Sequence, residues 1–269
     1  MGKYKSMNNL VSVNLKGGLG NYLFQIACVF DYSLKYNKHL ILDEKLAHVV
    51  HNKISTYKDN ILSKLKFENF KINDFKHLYR EIDFSYSEIP EIKDNLVLDG
   101  YFQSEKYFEY SRIQIKKLFE CNKNLENKLI NKFPFILEEK TCSIHVRRGD
   151  YLKLPNFHPT QTIDYYKKSI EHFCPETLFL IFSDDIEWCK NAFSKINIKM
   201  HFIENNFDYE DLYLMSFCKN NIICNSTFSW WAAWLNNNKG KKVIAPKKWF
   251  GPDSLCNTND LYCKSWIII

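Results

Sequence analysis

The C-terminal half of the chain alternates apolar strand-like segments with helical ones, and this alternation restricts the fold more than any other feature. The strand-like segments read TCSIHV, TLFLIFS, MHFIE, NIICN and KVIAP. Helical patterns separate them over residues 163–173, from Asp185, over 209–218 and in TFSWWAAWLN. Continuous apolar strands separated by helices are typical of a parallel sheet covered on both faces. We therefore predict an α/β, doubly wound fold for this half.

The N-terminal half carries a weaker form of the same pattern. A strand over 10–15, the turn GGLGN, a helix over 22–36 and the strand HLILD predict a β-α-β crossover. Residues 47–91 give no readable pattern before the strand-like NLVLDGYF, and helices are predicted over 105–119 and in NKNLENKLINK. We expect two Rossmann-type halves, residues 1–139 and 140–269.

Composition and charge exclude several classes of protein. A hydrophobic fraction of 45% with 16% aromatic residues indicates a folded chain, because these side chains offset the entropy lost on folding. The net charge of +6 arises from 37 basic and 31 acidic residues spread along the chain. It is compatible with anionic ligands or membrane surfaces, and we expect no nucleic-acid partner.

Cysteine usage and hydropathy indicate the compartment. The nine cysteines include no CxxC pair and are odd in number, which matches neither a zinc site nor a complete set of disulfides. We expect reduced thiols, no metal and a cytoplasmic protein. No apolar run approaches the roughly 20 residues needed to span a bilayer, so any contact with a membrane would be peripheral, at its inner face.

The glycine turn has two interpretations. Gly17, Gly18 and Gly20 could simply form a tight turn, or they could leave N–H groups and the Asn21 amide facing a ligand at a helix start. As a dinucleotide fingerprint the turn is weak, because Leu23 occupies the third glycine position.

The stretch HVRRGDY places a histidine, two arginines and an aspartate after a buried strand. His145 and Arg147 share strand parity, whereas Arg148 points to the opposite face. One arginine is expected to pair with Asp150, and the other to bind a diphosphate, whose geometry a guanidinium matches. Parity alone leaves open which arginine takes which role, so Arg148 is retained as a substrate-binding candidate beside Arg147.

Three further places offer polar groups at helix starts. Asp184 and Asp185 in FSDD either cap a helix or contribute Asp184 to a substrate site. The turn after NIIC could form an anion cradle, with Trp230, Trp231 and Trp234 packed in the core. Its members are Ser226, Thr227, Phe228 and Ser229. Asp211 could accept hydrogen bonds from a base edge.

Taken in order, GGLGNYLFQIA, HVRRGDY, FSDD and NSTFSWWAAWL resemble the bacterial alpha-1,2-fucosyltransferases of glycosyltransferase family 11. The resemblance runs from Asn14 to PKKWF and WIII and is thin over the unreadable middle. It implies a GT-B-like fold of two Rossmann-type halves facing a central cleft. The N-terminal half would be the acceptor side, and the C-terminal half would bind GDP-fucose, with inversion at the sugar and no metal or other cofactor.

The resemblance also implies roles for individual residues. Arg147 would hold the β-phosphate, His145 would lie by the nucleoside, and Asp211 would read the guanine. The hydroxyl-rich turn would hold phosphate, and Asn21, with Gly18 and Gly20, would lie near the sugar and diphosphate. Tyr22 stands where the family usually has Gln, so no role is carried over there. Asp150 is a candidate general base, although an ion pair explains it equally well.

The expected reaction moves fucose from GDP-fucose to the 2-hydroxyl of a terminal galactose in a bacterial glycan such as lipopolysaccharide or O-antigen. The acceptor would be an oligosaccharide or a lipid-linked glycan. A non-catalytic module that binds a nucleotide sugar or glycan is an alternative. A nicotinamide oxidoreductase is another, with Asp43 near the position of a ribose-binding acid.

Overall fold

The computed structural model describes residues 9–44, 48–49, 53–69, 75–137 and 140–269. The chain forms two compact units. The first consists of Met1–Glu120 with Asn257–Tyr262, and the second of Cys121–Cys256 with Cys263–Ile269. Residue 139, the last of the predicted N-terminal half, lies outside the described residues.

The first unit contains a four-stranded parallel sheet. In chain order its elements are β1 (Leu10–Val13), β2 (Lys16–Gly17), α1 (Leu19–Lys35), β3 (His39–Leu40), β4 (His48–Val49), α2 (Ser55–Lys58), β5 (His77–Arg80), β6 (Leu96–Asp99), a 3-10 helix (Glu105–Phe108) and α3 (Arg112–Leu118). The strand order is β3-β1-β6-β5, and β2 pairs separately with β4. Parallel pairing of β1 with β3 around α1 confirms the predicted crossover.

Helix α1 begins earlier than predicted. It starts at Leu19, so Gly20 and Asn21 lie in its first turn rather than in a loop before it. Gly18 is the N-cap in an extended conformation, and only Gly17 in this turn has a positive φ, at 89°. The requirement for glycine conformational freedom therefore falls on Gly17.

Two other features of this unit differ from the prediction. Strand β5 lies at the sheet edge and is largely exposed, so it lacks the apolar alternation by which strands are recognised. The single helix predicted over 105–119 is interrupted before α3. The Asp31 carboxylate accepts hydrogen bonds of 2.7 Å from both the N–H and the hydroxyl of Ser111, which holds Ser111 outside helical geometry.

The second unit contains the larger sheet. In chain order its elements are α4 (Lys123–Lys132), a 3-10 helix (Pro134–Leu137), β7 (Thr141–Val146), a 3-10 helix (Asp150–Lys153), α5 (Ile163–Ile170), β8 (Leu178–Ser183), α6 (Ile186–Phe193), β9 (Lys199–Phe202), α7 (Asp208–Phe217), β10 (Asn220–Ile222), α8 (Thr227–Leu235), β11 (Val243–Ala245) and β12 (Ile267–Ile268). The strand order is β12-β11-β10-β7-β8-β9, and every pair is parallel. Counted from β7, this is the 3-2-1-4-5-6 order of doubly wound nucleotide-binding folds, as predicted.

Helix α4 groups with the second unit rather than with the first. The side chain of Lys128 lies 2.8 Å from Glu210 of α7, and that of Lys132 lies 2.6 Å from Asn206. These contacts explain why the compact units divide after Glu120, earlier than the expected boundary between residues 139 and 140.

The core of the second unit is built on the central strands. All six residues of β7 are buried, as are the four middle residues of β8. Trp230, Trp231 and Trp234 of α8 are at most 2% exposed, which confirms that they pack in the core. In the part of the chain that the structure describes, no helix is both long and apolar enough to cross a bilayer.

Candidate active site

The order in which successive strands are added to the sheet reverses between β7 and β10, which are adjacent and parallel. From β7 the chain continues to β8 on one side, and from β10 it continues to β11 on the other. The loops that follow the two strands therefore diverge and leave a crevice at their carboxyl ends, where open α/β sheets bind ligands. Arg147 directly follows β7, and Ser226 leads from β10 into α8.

Arg147 is held between two carboxylates. Its Nη2 donates to Oδ1 of Asp150 over 2.7 Å, and its Nε lies 3.3 Å from Oδ2 of Asp184. The guanidinium also lies 5.7 Å from the ring centroid of Tyr151. These contacts fix the arginine at the crevice while its side chain remains 25% exposed, so it can still meet a ligand.

Arg148 makes a different set of contacts. Its Nε donates to Oδ2 of Asp185 over 3.0 Å, and its guanidinium lies 4.0 Å from the ring centroid of Trp188. A stacked, ion-paired guanidinium of this kind stabilises the loop that carries it. The two arginines thus lie in separate environments, as strand parity predicts, but the partner of Asp150 is Arg147.

The two aspartates of FSDD also divide their roles. Asp185 caps α6 by accepting from the N–H of Trp188, so the capping interpretation holds for this residue. Asp184 does not cap the helix. It contacts Arg147, and its Oδ1 accepts from the backbone N–H of Arg148 over 2.9 Å. Gly149 permits this approach, because a Cβ there would lie 2.4 Å from Oδ2 of Asp184.

His145 is a buried, neutral imidazole. Burial, with the nearby charge of Arg147, lowers the pKa of His145 to about 3. Its Nδ1 lies 3.1 Å from the sulfur of Cys224, and its ring packs against Phe228 with centroids 5.3 Å apart. His145 therefore cannot contribute a positive charge at neutral pH, and it can take part in binding only through neutral hydrogen bonds and packing.

The start of α8 follows β10, on the other side of the point where the strand order reverses. Ser226 is the N-cap in an extended conformation but makes no side-chain cap bond. Thr227 and Phe228 are half-buried, whereas Ser229 is fully buried and its hydroxyl donates to the carbonyl of Ser226. Ser229 can therefore offer a ligand its backbone N–H but not its hydroxyl.

Asp211 lies in the first turn of α7, on the carboxyl side of the same sheet. Its Oδ1 accepts from Nδ2 of Asn206 over 2.9 Å. Burial raises the pKa of Asp211 to about 7, against the opposing effect of that hydrogen bond. A carboxyl group that titrates near neutral pH inside a sheet's ligand-binding edge is a candidate functional group.

The remaining predicted residues, Gly18, Gly20 and Asn21, belong to the first unit. They lie at the N-terminus of α1, which follows β1 and β2. Asn21 Oδ1 accepts from Nε2 of Gln103 over 3.0 Å. The residues predicted in the second half all lie in the second unit, on loops or helix starts after β7, β8, β9 and β10, except His145 within β7 itself.

Two residues near these groups were missed by sequence reasoning. The hydroxyl of Tyr151 donates to the carbonyl of Asn225, which ties the loop after β7 to the loop after β10. Gln103 contacts Asn21 across 82 positions in the chain. Tyr151 is the last residue of HVRRGDY, which could have drawn attention to it, but no local signal marks Gln103.

Within the described ranges, no three His, Cys, Asp or Glu side chains are grouped so that they could hold a metal ion.

The model of Glycosyl transferase family 11 matches residues 1–269. The chain is 32% identical to the O-antigen biosynthesis glycosyltransferase WbnK of Escherichia coli, over 94% of this chain and 98% of that protein. It is 33% identical to an alpha-1,2-colitosyltransferase of Escherichia coli, over 97% of this chain and 99% of that protein.

Among solved structures, NodZ alpha-1,6-fucosyltransferase from Bradyrhizobium, soaked with GDP-fucose, is similar in fold. The TM-score is 0.54, with 13% sequence identity, over 85% of this chain and 92% of NodZ. At this identity the likeness concerns the fold alone, which is GT-B-like, as the sequence resemblance implied.

Proposed function

The chain belongs to glycosyltransferase family 11, and we propose that it transfers fucose from GDP-fucose to the 2-hydroxyl of a galactose that ends a bacterial glycan. The observation that carries this proposal is the position of Arg147. Arg147 follows β7 where the strand order reverses, and the adjacent strand β10 leads into the N-terminus of α8, an arrangement that suits a diphosphate. Membership in this family argues against the alternative of a nicotinamide oxidoreductase, in which Asp43 would bind the ribose.

In the proposed complex the second unit binds the donor. Asp211 would accept from the N–H groups of guanine, and His145 would lie against the nucleoside. The N–H groups at the start of α8 would bind phosphate oxygens, with Arg147 on the β-phosphate. The ion pairs of Arg147 use Nη2 and Nε, so a diphosphate can approach the guanidinium from its Nη1 side.

The chemistry follows from charge development on the leaving group. When the bond between the sugar and GDP breaks, negative charge grows on the β-phosphate. Arg147 and the helix N–H groups would stabilise that charge more strongly than they stabilise the bound donor, which lowers the barrier. We propose that these groups suffice without a metal ion or other cofactor. Attack from the opposite face of the sugar gives inversion.

The acceptor side is assigned to the first unit. Asn21 would lie near the reacting sugar and diphosphate, with Gly18 and Gly20 allowing a close approach at the helix start. Asp150 is the candidate base for the acceptor hydroxyl. Its 2.7 Å contact with Arg147 supports a second role, that of orienting the guanidinium. Asp150→Asn separates the two, because the amide can still accept a hydrogen bond from Arg147 but cannot take a proton.

The test is a transfer assay in EDTA with GDP-fucose and a galactose-ended oligosaccharide. The expected product is a glycan heavier by one deoxyhexose, and the same acceptor with 2-deoxygalactose at its end should give none. Turnover also separates an enzyme from a non-catalytic module, which would bind GDP-fucose and form no product. Transfer to the 2-deoxy acceptor would contradict the proposed linkage.

A second donor is favoured by one of the relatives. The chain is 33% identical to an alpha-1,2-colitosyltransferase and 32% identical to WbnK, so the two similarities are nearly the same. Colitose is fucose without its 3-hydroxyl, so both donors would place the same diphosphate on Arg147. Competition between equal concentrations of GDP-fucose and GDP-colitose measures the preference directly.

The cellular setting is proposed on the same basis. WbnK is named for O-antigen biosynthesis, which supports an O-antigen or lipopolysaccharide glycan as the acceptor. A lipid-linked acceptor would place the protein in the cytoplasm, against the inner face of the membrane. Sedimentation with vesicles that carry such a glycan, compared with plain vesicles, tests this setting.

A further inference from the structure

The side-chain amide of Asn21 is held by a second amide. Nε2 of Gln103 donates to Oδ1 of Asn21 over 3.0 Å, and Gln103 is only 7% exposed. We propose that Gln103 is a positioning residue, which orients the Asn21 amide so that its N–H groups face the reacting sugar and diphosphate. This inference rests on the proposed function, because that proposal places Asn21 beside the donor.

The backbone beneath Asn21 is fixed from within the first unit. The side chain of Gln25 accepts from the N–H of Lys16 over 3.0 Å and donates to its carbonyl over 3.1 Å. The next residue is Gly17, where a Cβ would lie 2.2 Å from Nδ2 of Asn21. The amide nitrogen therefore packs directly over a backbone that has no side chain at this point.

Gln103 is itself held by a strained turn. The carboxylate of Glu81 accepts from the N–H groups of Tyr101 and Phe102, over 2.7 and 2.9 Å. Phe102 is fully buried and has a φ of +51°, a left-handed conformation that bulky residues seldom adopt. Such a conformation persists only where its surroundings enforce it, and it is often associated with function. The conformation of Phe102 places the next residue, Gln103, beside Asn21.

The orientation matters because an amide has a donor end and an acceptor end. A diphosphate offers only acceptors, so the Asn21 nitrogen can bind it and the Asn21 oxygen cannot. With Gln103 donating to Oδ1, the nitrogen is the end left for the ligand. Without that donor the amide could rotate and present either end.

Gln103→Met and Gln103→Glu make the test. Methionine keeps the volume but cannot donate, so the amide loses its preferred orientation. We expect kcat to fall roughly fivefold to tenfold, as loss of one hydrogen bond would cause, and the Kd for GDP, which keeps the diphosphate, to rise by at most the same factor. In Gln103→Glu, the ionised carboxylate accepts a hydrogen bond from Nδ2 of Asn21. The amide nitrogen then points toward residue 103 and away from the ligand. We therefore expect a larger fall in kcat, at least about thirtyfold at pH 8, because hydrogen bonds to charged groups are stronger than neutral ones.

The pH dependence distinguishes orientation from general damage. A protonated glutamic acid can donate to Oδ1 again, so the kcat of Gln103→Glu relative to Gln103→Met should rise as the pH falls from 8 to 5.5. A structural defect would leave this ratio constant. Gln114→Glu makes the same chemical change on an exposed position of α3 and serves as the matched control, with wild-type kcat expected.

Orientation can also be observed without transfer. In 15N-labelled protein the side-chain amide resonances of Asn21, assigned by their absence in Asn21→Asp, should shift in both Gln103 variants and stay unchanged in Gln114→Glu. If wild-type protein transfers no fucose, the proposed function fails and the resonances alone decide the inference. Wild-type kcat in Gln103→Met, or unshifted Asn21 resonances in folded variants, would overturn it.

Discussion

The sulfur of Cys224 lies 3.1 Å from Nδ1 of His145, inside the core of the second unit. Burial raises the pKa of the Cys224 thiol to about 12 and lowers the pKa of His145 to about 3, so both groups are neutral. The direction of their hydrogen bond is coupled to the tautomer of the neutral imidazole, because the thiol can donate to Nδ1 only when the histidine proton is on Nε2. The contact therefore bears on the tautomer that a bound nucleoside would meet.

Removing the thiol should destabilise the protein and weaken nucleotide binding. Cys224→Ala leaves Nδ1 of a buried histidine without its hydrogen-bonding partner, which costs about 1–3 kcal/mol of unfolding free energy. Cys224→Ser keeps a donor and should lose less. Urea denaturation measures the stability, and calorimetry with GDP measures the affinity. An alanine variant as stable as the serine variant would show that the contact does not act as a hydrogen bond.

The two arginines should respond differently to substitution. Arg147→Ala removes the cation proposed for the β-phosphate, and kcat should fall by about a hundredfold to a thousandfold with little loss of stability. Arg148→Ala breaks the contacts with Asp185 and Trp188, and we expect a loss of about 2 kcal/mol in unfolding free energy with much of the activity retained. Turnover and urea melts on both variants make the comparison. The assignment fails if the pattern is reversed.

Binding of GDP-fucose, whose diphosphate does not titrate between pH 6 and 8, should depend on the ionisation of Asp211. The pKa of this carboxyl is raised to about 7, and the ionised form is the one that can accept two hydrogen bonds from guanine. Affinity should therefore fall as the pH is lowered, to about tenfold weaker at pH 6 than at pH 8. In Asp211→Asn, binding should be weak and independent of pH. A flat profile in the wild type would remove Asp211 from the guanine site.

Glu81 should make stability depend on pH. Burial raises its pKa from 4.5 to about 7, although the N–H groups of Tyr101 and Phe102 oppose the shift. The folded state thus holds the proton more tightly than the unfolded chain does. Its contribution is complete below about pH 4.5 and disappears as the pH rises through about 7.

Glu81→Gln removes this ionisation. The stability of the wild type relative to the variant should therefore decrease between pH 4.5 and 7. Urea denaturation at several pH values gives this difference directly. A difference that does not vary over this interval would mean that Glu81 ionises in the folded protein as it does in the unfolded chain.

The sequence predicted best those strands that are buried on both faces of the sheet. Strands β7 and β8 are buried on both faces, so their apolar runs are unbroken and easily recognised. Strand β5 lies at an exposed edge and carries no such signal. The break before α3 depends on Asp31, which lies 80 positions from Ser111, and no local pattern can reveal such a contact.

In the candidate site, too, local properties could be predicted from the sequence, whereas contacts that depend on the folded chain could not. Strand parity separated Arg147 from Arg148, because parity is a local property of the backbone. It could not show which arginine would meet Asp150, since that depends on how the loop turns after Val146. Gln103 was missed because its role arises only when the turn after β6 folds against α1.

The chain passes from one unit to the other three times, after Glu120, after Cys256 and after Tyr262. Residues 257–262 contribute to the first unit through Asp260, whose carboxylate and carbonyl accept hydrogen bonds from Tyr86 and Ser104. The last residues then return to add β12 beside β11. A chimera made with a single crossover between two family members would therefore mismatch the C-terminal segment of each parent. An exchange of one whole unit between two family members would require three junctions.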